Sequence, residues 1–553
     1  MKENKRSPSW QDPKSFRSDF SKDQGWEPLG SERVDGTKTI LITGATSGIG
    51  LSLAQQLAVQ GVRLLLVGRR PLADLSEPIF TPDTYCQADL ARPQAIAQIT
   101  DFLDQQQIGA LHGLVHNAAV GYYGDLNGQP AASIDDLLAI NLLTPIRLTQ
   151  ALRPRLLAAS GTVTFISTVA TAVPTPEYAV YGASKAALEG FARSLRVEWQ
   201  GQIGVQIIRP GATRTPMHEK SGIPVAKMDW RKFPPAEATA ASIAAALSHP
   251  RPAITIGFSN QLLRFVGRNG RFLLDPIRQK QARRKERENG TTGEWGKLTH
   301  APVALITGVA DGIGKALAWQ FARAGYGVVG IDVDEAKGIA TTAELTRAGF
   351  ATRFLHADLS CDGDLAWLVK ELHAAAPLDV LIHNAGISAV GRFEQLDLAA
   401  QERVLAVNLR APLHLTAALG RSGLFSAAPS LVFLSSLSHY TGYPGAAVYA
   451  ASKDGVAHYG RSLSLAWPYA HTLTVFPGPT RTAHARRYSP DNSRETSRMP
   501  PEQVAAAIYQ AVHRRRPRLI PGLGNQLIAL GGHLLPTLLE WSMKKAILEK
   551  LDV

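Results

Sequence analysis

Two tyrosines in this sequence stand four residues before a lysine: Tyr181 and Lys185 in YGASK, Tyr449 and Lys453 in YAASK. On a helix that spacing puts phenol and ammonium on one face, one turn apart. A free phenol has a pKa of about 10, too high for easy proton exchange at neutral pH. A neighbouring ammonium stabilises the phenolate, and a depression of two units corresponds to about 2.7 kcal/mol. The expected product is a tyrosine of lowered pKa, able to act as a general acid or base. A single such pair would be read as incidental residues on a surface helix. Here the pair occurs twice.

Each pair follows, at a distance, a glycine-rich turn placed after an apolar run: TGATSGIG with Gly44, Gly48 and Gly50, and TGVADGIG with Gly308, Gly312 and Gly314. Such a turn opening a helix lets backbone approach a pyrophosphate, whose charge the helix N-terminus favours. The next apolar run should end at the adenosine ribose of a dinucleotide. In the second copy it reads GVVGID and ends at Asp332, a carboxylate suited to two ribose hydroxyls, which predicts NAD(H). In the first it reads RLLLVGRR and ends at Arg69 and Arg70, which suit a 2′-phosphate and predict NADP(H). Solvated turn arginines are the alternative for Arg69 and Arg70.

These motifs belong to a wider repeat. VHNAA from Val115 matches IHNAG from Ile382, INL at Ile140 matches VNL at Val407, RPGATRT from Arg209 matches FPGPTRT from Phe476, and GFSNQL from Gly257 matches GLGNQL from Gly522. The offset between the two copies stays between 264 residues at the glycine turn and 268 at the Tyr–Lys pair, so a duplicated or fused unit is expected. In the first copy, strand candidates at 39–42, Arg63–Val67, Leu111–His116, Thr162–Ile166, Val205–Ile208 and Ala253–Ile256 alternate with helix-length stretches. Alternation of apolar strands and helices predicts an α/β fold: two Rossmann-like, doubly wound parallel sheets flanked by helices. The expected domains are a disordered tail at 1–36, a first unit at 37–280, a basic linker at 281–300 and a second unit at 301–553.

The 553 residues carry a net charge of +13, much of it in the runs Arg278–Arg287 and Arg514–Arg518. Solvated surface positions explain these runs, and attraction to an anionic membrane surface stays open; no nucleic-acid motif accompanies them. Two cysteines, Cys86 and Cys361, are too few for a disulfide framework and have no metal spacing. No secretory signal and no run of about 18 apolar residues is present. The expectation is a cytoplasmic protein without a metal, with peripheral membrane contact left open.

Taken together, TGxxxGxG, NAG, Asn, Ser, YxxxK and PGxxxT resemble the short-chain dehydrogenase/reductase family, over about Thr37–Arg278 and His300–Val553. In the second copy the resemblance implies Tyr449 as general acid/base, Lys453 as the residue lowering its pKa and holding the nicotinamide ribose, and Ser436 as hydrogen-bond partner of the substrate oxygen. It implies Asn408 as anchor of a proton-relay water, Asn384 beside the central sheet, Asp358 towards adenine and Thr482 towards the carboxamide. It extends the cofactor site to Asp311, Ile313, Leu359, Pro477 and Gly478. In the first copy the same roles fall on Asn141, Tyr181 and Lys185, with Ser47, Ile49, Asp89, Asn117, Pro210, Gly211 and Thr215 in the cofactor site. Here the sequence departs from the pattern. Thr168 occupies the serine position, with Ser167 beside it, and Ala119 replaces the glycine of NAG. A degenerate scaffold role for this copy is the alternative to activity. Tyr178 is read as substrate-pocket lining or packing.

The resemblance further implies substrate lids at about Pro216–Pro234 and Ala483–Pro500, which differ almost entirely. Apolar extensions, Asn260–Ile277 and Asn525–Ile547, resemble tails of members that reduce lipid-like substrates. A packing helix is the equal alternative. Members pair through the YxxxK helix, so the copies could form an intrachain pseudo-dimer or a homo-oligomer. The expected function is interconversion of secondary alcohols and ketones. Opposite cofactor preferences suggest a coupled, epimerising pair, against two independent fused reductases or a dinucleotide-sensing scaffold.

Overall fold

The computed structural model describes residues 38–224, 229–270, 301–489, 491–493 and 495–551. The tail at 1–36, the linker at 281–300, the run Arg278–Arg287 and the end of the first apolar extension lie outside the described residues. Seven parallel strands form the first sheet: β1 (Thr39–Thr43), β2 (Arg63–Gly68), β3 (Tyr85–Gln87), β4 (Gly113–His116), β5 (Thr162–Ile166), β6 (Gly204–Arg209) and β7 (Ala253–Thr255), in the order β3-β2-β1-β4-β5-β6-β7. The second sheet repeats it with β8 (Val303–Thr307), β9 (Gly327–Asp332), β10 (Thr352–His356), β11 (Leu378–His383), β12 (Phe425–Leu434), β13 (His471–Val475) and β14 (Arg518–Leu519), in the order β10-β9-β8-β11-β12-β13-β14. Central strands such as TILIT of β1 are apolar and buried on both faces because helices cover both sides of the sheet. Strand order reverses between β1 and β4, and between β8 and β11. The crevice beyond the carboxyl ends of those strands is where such a fold binds ligands.

The two sheets belong to one compact unit. The helix Ala179–Glu198, which carries Tyr181 and Lys185, packs against its counterpart Ala447–Ala466, which carries Tyr449 and Lys453. Small residues permit the close approach. A side chain at Gly182 would collide with His458, and one at Gly190 with Asp454. Charged contacts ring the seam: Arg193 with Asp454 at 2.5 Å, Arg147 with Glu402 at 2.6 Å and Arg410 with Asp135 at 2.6 Å. The chain thus pairs its two copies internally.

Candidate active site

Each glycine turn leaves its central strand with a residue in left-handed conformation, Gly44 at φ +67° and Gly308 at φ +71°. A Cβ at Gly50 would strike the carbonyl of Gly44, and one at Gly314 that of Gly308, so the turn and the following helix close onto each other. Asn117 locks the first turn by donating to the carbonyls of Thr43 (3.0 Å) and Gly44 (3.1 Å). Asn384 does the same at Thr307 and Gly308, both at 2.9 Å. Thr215 and Thr482 pack over Gly48 and Gly312, which brings the PGxxxT loop onto the turn.

The adenosine ends differ. Arg69 and Arg70 are exposed at the end of β2, and Arg70 donates to Thr46 O at 3.4 Å. Asp332 at the end of β9 is fixed by backbone donors, Ala310 N at 2.8 Å and Asp334 N at 3.0 Å. A second carboxylate, Asp311, accepts from Gly312 N at 2.6 Å at the helix start, where Ser47 makes no side-chain cap. Asp89 accepts from Ala91 N at 3.1 Å, whereas Asp358 is held by Ser360 and by Arg403 at 2.7 Å.

At the reaction centre Lys453 Nζ lies 5.7 Å from the Tyr449 ring centroid and donates to Leu434 O at 3.0 Å. Lys185 donates equivalently to Ile166 O at 3.0 Å. The Tyr449 hydroxyl pairs with Ser436, and that of Tyr181 with Thr168. Ser167 lines the same cavity as Thr168 and Tyr181, and its hydroxyl donates to Glu189 at 2.7 Å.

The expected depression of the tyrosine pKa is also corrected. Burial pushes Tyr449 up to about 12 against the Ser436 hydrogen bond, raises Tyr181 further, and brings both lysines down to about 8. Desolvation opposes the charged form of each group.

Asn141 and Asn408 sit in π-helical turns, Ala139–Leu143 and Ala406–Arg410. Asn408 accepts from Ile387 N (2.8 Å) and donates to Ile387 O (2.9 Å) and Ser452 Oγ (3.1 Å). Asn141 makes the same three bonds to Val120 and Ser184. Both brace the loop after β4 or β11 against the tyrosine helix. A Cβ at Gly386 would come within 3.1 Å of Lys453 Nζ and 3.3 Å of Asn408 Oδ1, the space that the methyl of Ala119 faces in the first copy.

One continuous cavity of about 880 Å³ in the first half is lined by all the expected cofactor and catalytic residues of that copy except the buried Asn141. Its length runs from Arg69 and Arg70 to Tyr181, and its glycine floor has no Cβ atoms. Its extent suits an extended dinucleotide. In the second half Asp311, Gly312 and Thr482 share a cavity of about 380 Å³ with Lys315, Arg481 and Arg486. Among the described residues no His, Cys, Asp and Glu group is arranged to hold a metal.

Tyr178, expected as pocket lining or packing, lines the first cavity and hydrogen-bonds Ser221 at 3.1 Å, a residue of the expected lid at Pro216–Pro234. Met217, two residues after Thr215, lines the same cavity. Its counterpart His484 stacks obliquely 6.5 Å from Tyr449 and 4.8 Å from Tyr488, and Tyr443 stands 6.0 Å from Tyr449. Burial and the Lys453 charge push His484 down to about 4, so its imidazole is neutral. Met217, His484 and Tyr488 lie within the expected lids, whose individual residues carry no motif, and Tyr443 lies before the tyrosine helix.

The family model for short chain dehydrogenase matches residues 38–224 and 302–493, which contain both glycine turns and both Tyr–Lys pairs. The chain belongs to the short chain dehydrogenase family. A relative in this family, 11-beta-hydroxysteroid dehydrogenase A of Sesamum indicum, is 32% identical over 190 residues, 33% of this chain and 54% of that protein. Uncharacterized oxidoreductase YbbO of Escherichia coli strain K12 is 33% identical over 180 residues, 32% of this chain and 66% of that protein. The chain thus spans between about half and two thirds of the length of these relatives. Among solved structures, an N-terminal ketoreductase from the macrolactin assembly line aligns with 90% of this chain and 89% of its own at a TM-score of 0.58. At 14% identity it shares the fold alone.

Proposed function

We propose that this short-chain dehydrogenase interconverts apolar secondary alcohols and ketones at two centres, using NADP(H) in the first half and NAD(H) in the second. The observation that carries this reading is the opposed chemistry at equivalent strand ends, Arg69 and Arg70 against Asp332. The bound nicotinamide would supply or take up the hydride. Tyr449 would pass its proton to the substrate oxygen, or receive one from it, while Ser436 holds that oxygen. Lys453 and Asn408 would keep the tyrosine helix and the adjoining loop in place. Tyr181, Thr168, Lys185 and Asn141 would act likewise in the first half.

Because cells keep NAD oxidised and NADP reduced, the second half would oxidise an alcohol and the first would reduce the ketone, inverting the carbinol. The full chain given NAD⁺, NADPH and one enantiomer of an apolar secondary alcohol should accumulate the opposite enantiomer. Accumulation of ketone alone, or a single cofactor serving both halves, would remove the coupling. A second reading, a first half that binds dinucleotide as a scaffold, draws on the Ala119 methyl beside Lys185. It requires that Tyr181→Phe leave all turnover unchanged.

A further inference from the structure

Of the eighteen exposed large hydrophobic side chains among the described residues, thirteen lie on two segments, 258–266 and 523–541. The helices there, Phe258–Asn269 and Leu523–Leu534, follow the last strand of each sheet. Phe258, Leu262, Leu263 and Phe265 on the first correspond, at a constant offset of 265, to Leu523, Leu527, Ile528 and Leu530 on the second. All eight are 40% to 82% exposed. A surface helix ordinarily turns its apolar stripe to the core. Both of these turn it outward, while Gly267 and Gly532 on the opposite side pack against the Ala172 and Tyr440 backbone.

The two stripes belong to one surface. His533 of the second helix meets Asn269 at the end of the first, 2.6 Å apart. Arg461 of the second half donates to Ala172 O (2.8 Å) and Gly267 O (3.3 Å), fixing the first helix across the seam. The apolar area continues into Pro536–Met543, where Trp541 is 60% exposed with Lys545 Nζ 5.5 Å from its ring. Over 258–270 and 514–551 the sequence has nine lysines and arginines against two acids, Glu540 and Glu549; Arg264 lies against Glu189 and Lys550 against Asp491, which leaves seven basic residues, and Glu540 is paired with Arg196 at 2.5 Å.

We propose that these two helices form a single docking surface for an anionic lipid bilayer. An outward apolar stripe, an aromatic–lysine edge and surplus positive charge are the features of a helix lying in a membrane interface. Among the described residues no helix is long and apolar enough to cross a membrane, so the contact is in-plane. A second copy of this chain fits less well, because a twofold contact would set the same positive charges against each other. The first helix also starts at the cavity of its half, where Asn260 packs under the lining Gly211, and Asn525 packs likewise under Gly478 of the second PGxxxT loop. If the proposed alcohol–ketone reading holds, docking would supply its apolar substrate directly from lipid.

The test is flotation of the full chain with vesicles of phosphatidylcholine alone and of equal parts phosphatidylcholine and phosphatidylglycerol. Binding should require the anionic lipid and weaken with salt, since each basic residue at such a surface is worth about fivefold in affinity. Leu262→Glu with Leu527→Glu should abolish binding. Turnover of a water-soluble alcohol should stay unchanged, which separates loss of docking from failure of the enzymatic reading. Arg268→Glu with Lys545→Glu should weaken binding by tenfold or more. Equal binding by wild type and the leucine variant would overturn the proposal. So would absence of vesicle binding, or an oligomer in light scattering that the leucine variant dissolves.

Discussion

Behind the tyrosine helix, the first half buries ions where the second buries rings. Glu189 accepts from Arg209 at 2.7 Å and 2.9 Å, from Ser167 at 2.7 Å and from Thr171 at 2.8 Å, with Arg264 at 3.6 Å. Burial alone would raise this carboxyl, but Arg209 and Arg264 hold it well below the usual carboxylate range. The equivalent positions in the second half are Ala457, Phe476 and Ala529. There Phe476 packs against His439 at 5.1 Å and Tyr440 at 5.2 Å, and Ser435 turns to the Lys453 carbonyl at 2.8 Å. Two unlike supports stand behind lysines anchored alike, Lys185 on Ile166 O and Lys453 on Leu434 O, both at 3.0 Å. The copies agree at the atoms proposed to react and differ in what stands behind, beside and at the far end of them.

The largest effect expected from this contrast is on stability. Glu189→Ala would leave Arg209 buried without its carboxylate, at a cost of about 3–5 kcal/mol. Urea unfolding of the full chain should show it, with the first half losing structure before the second. An unchanged midpoint would mean that the ionic cluster contributes no more than the rings. Next comes the cofactor edge. Arg69→Ala with Arg70→Ala should weaken NADPH binding by about 1.5–3 kcal/mol, the worth of charged hydrogen bonds, and leave NADH binding to the second half untouched. Equal loss for both dinucleotides in titration calorimetry would erase the distinction.

At the substrate wall the effect should be smaller. His484→Met makes the second pocket resemble the first at that point. It should raise KM by roughly tenfold for alcohols with a second oxygen near the carbinol, the worth of about one neutral hydrogen bond, and leave simple alcohols alone. Equal changes for both substrate sets would show that His484 only packs.

The smallest effect concerns the seam. Glu198 of the first half accepts from Phe393 N (3.0 Å) and Gly445 N (2.7 Å) of the second, and burial pushes it from 4.5 to about 7. Its folded pKa lies above its unfolded value. Its contribution to stability is therefore present at low pH and lost as pH rises from 4.5 to about 7. Wild type should lose stability over that window, and Glu198→Gln should flatten the slope.

Much of this architecture was legible in the residues. Apolar runs such as Thr162–Ile166 became strands at the expected bounds, because a strand covered on both faces has no polar alternation to blur it. β3 was missed since Tyr85–Gln87 is three residues long, too short for a pattern. The glycine turns and Tyr–Lys pairs were found because local spacing alone defines them. The direction of the tyrosine shift was not, because spacing encodes the neighbouring charge but not the desolvation that opposes it. Met217, His484 and the Glu189 cluster depend on contacts between distant segments, which no short motif records.

The most direct test assigns cofactor use to each tyrosine in the intact chain. Steady-state rates with NADP(H) and NAD(H) should be measured for Tyr181→Phe and Tyr449→Phe. We expect Tyr181→Phe to lose about a hundredfold or more of the NADP(H)-dependent rate and keep the NAD(H)-dependent one, with the reverse for Tyr449→Phe. Parallel loss of both activities in either variant, or no loss in both, would contradict two separate centres with opposed cofactors.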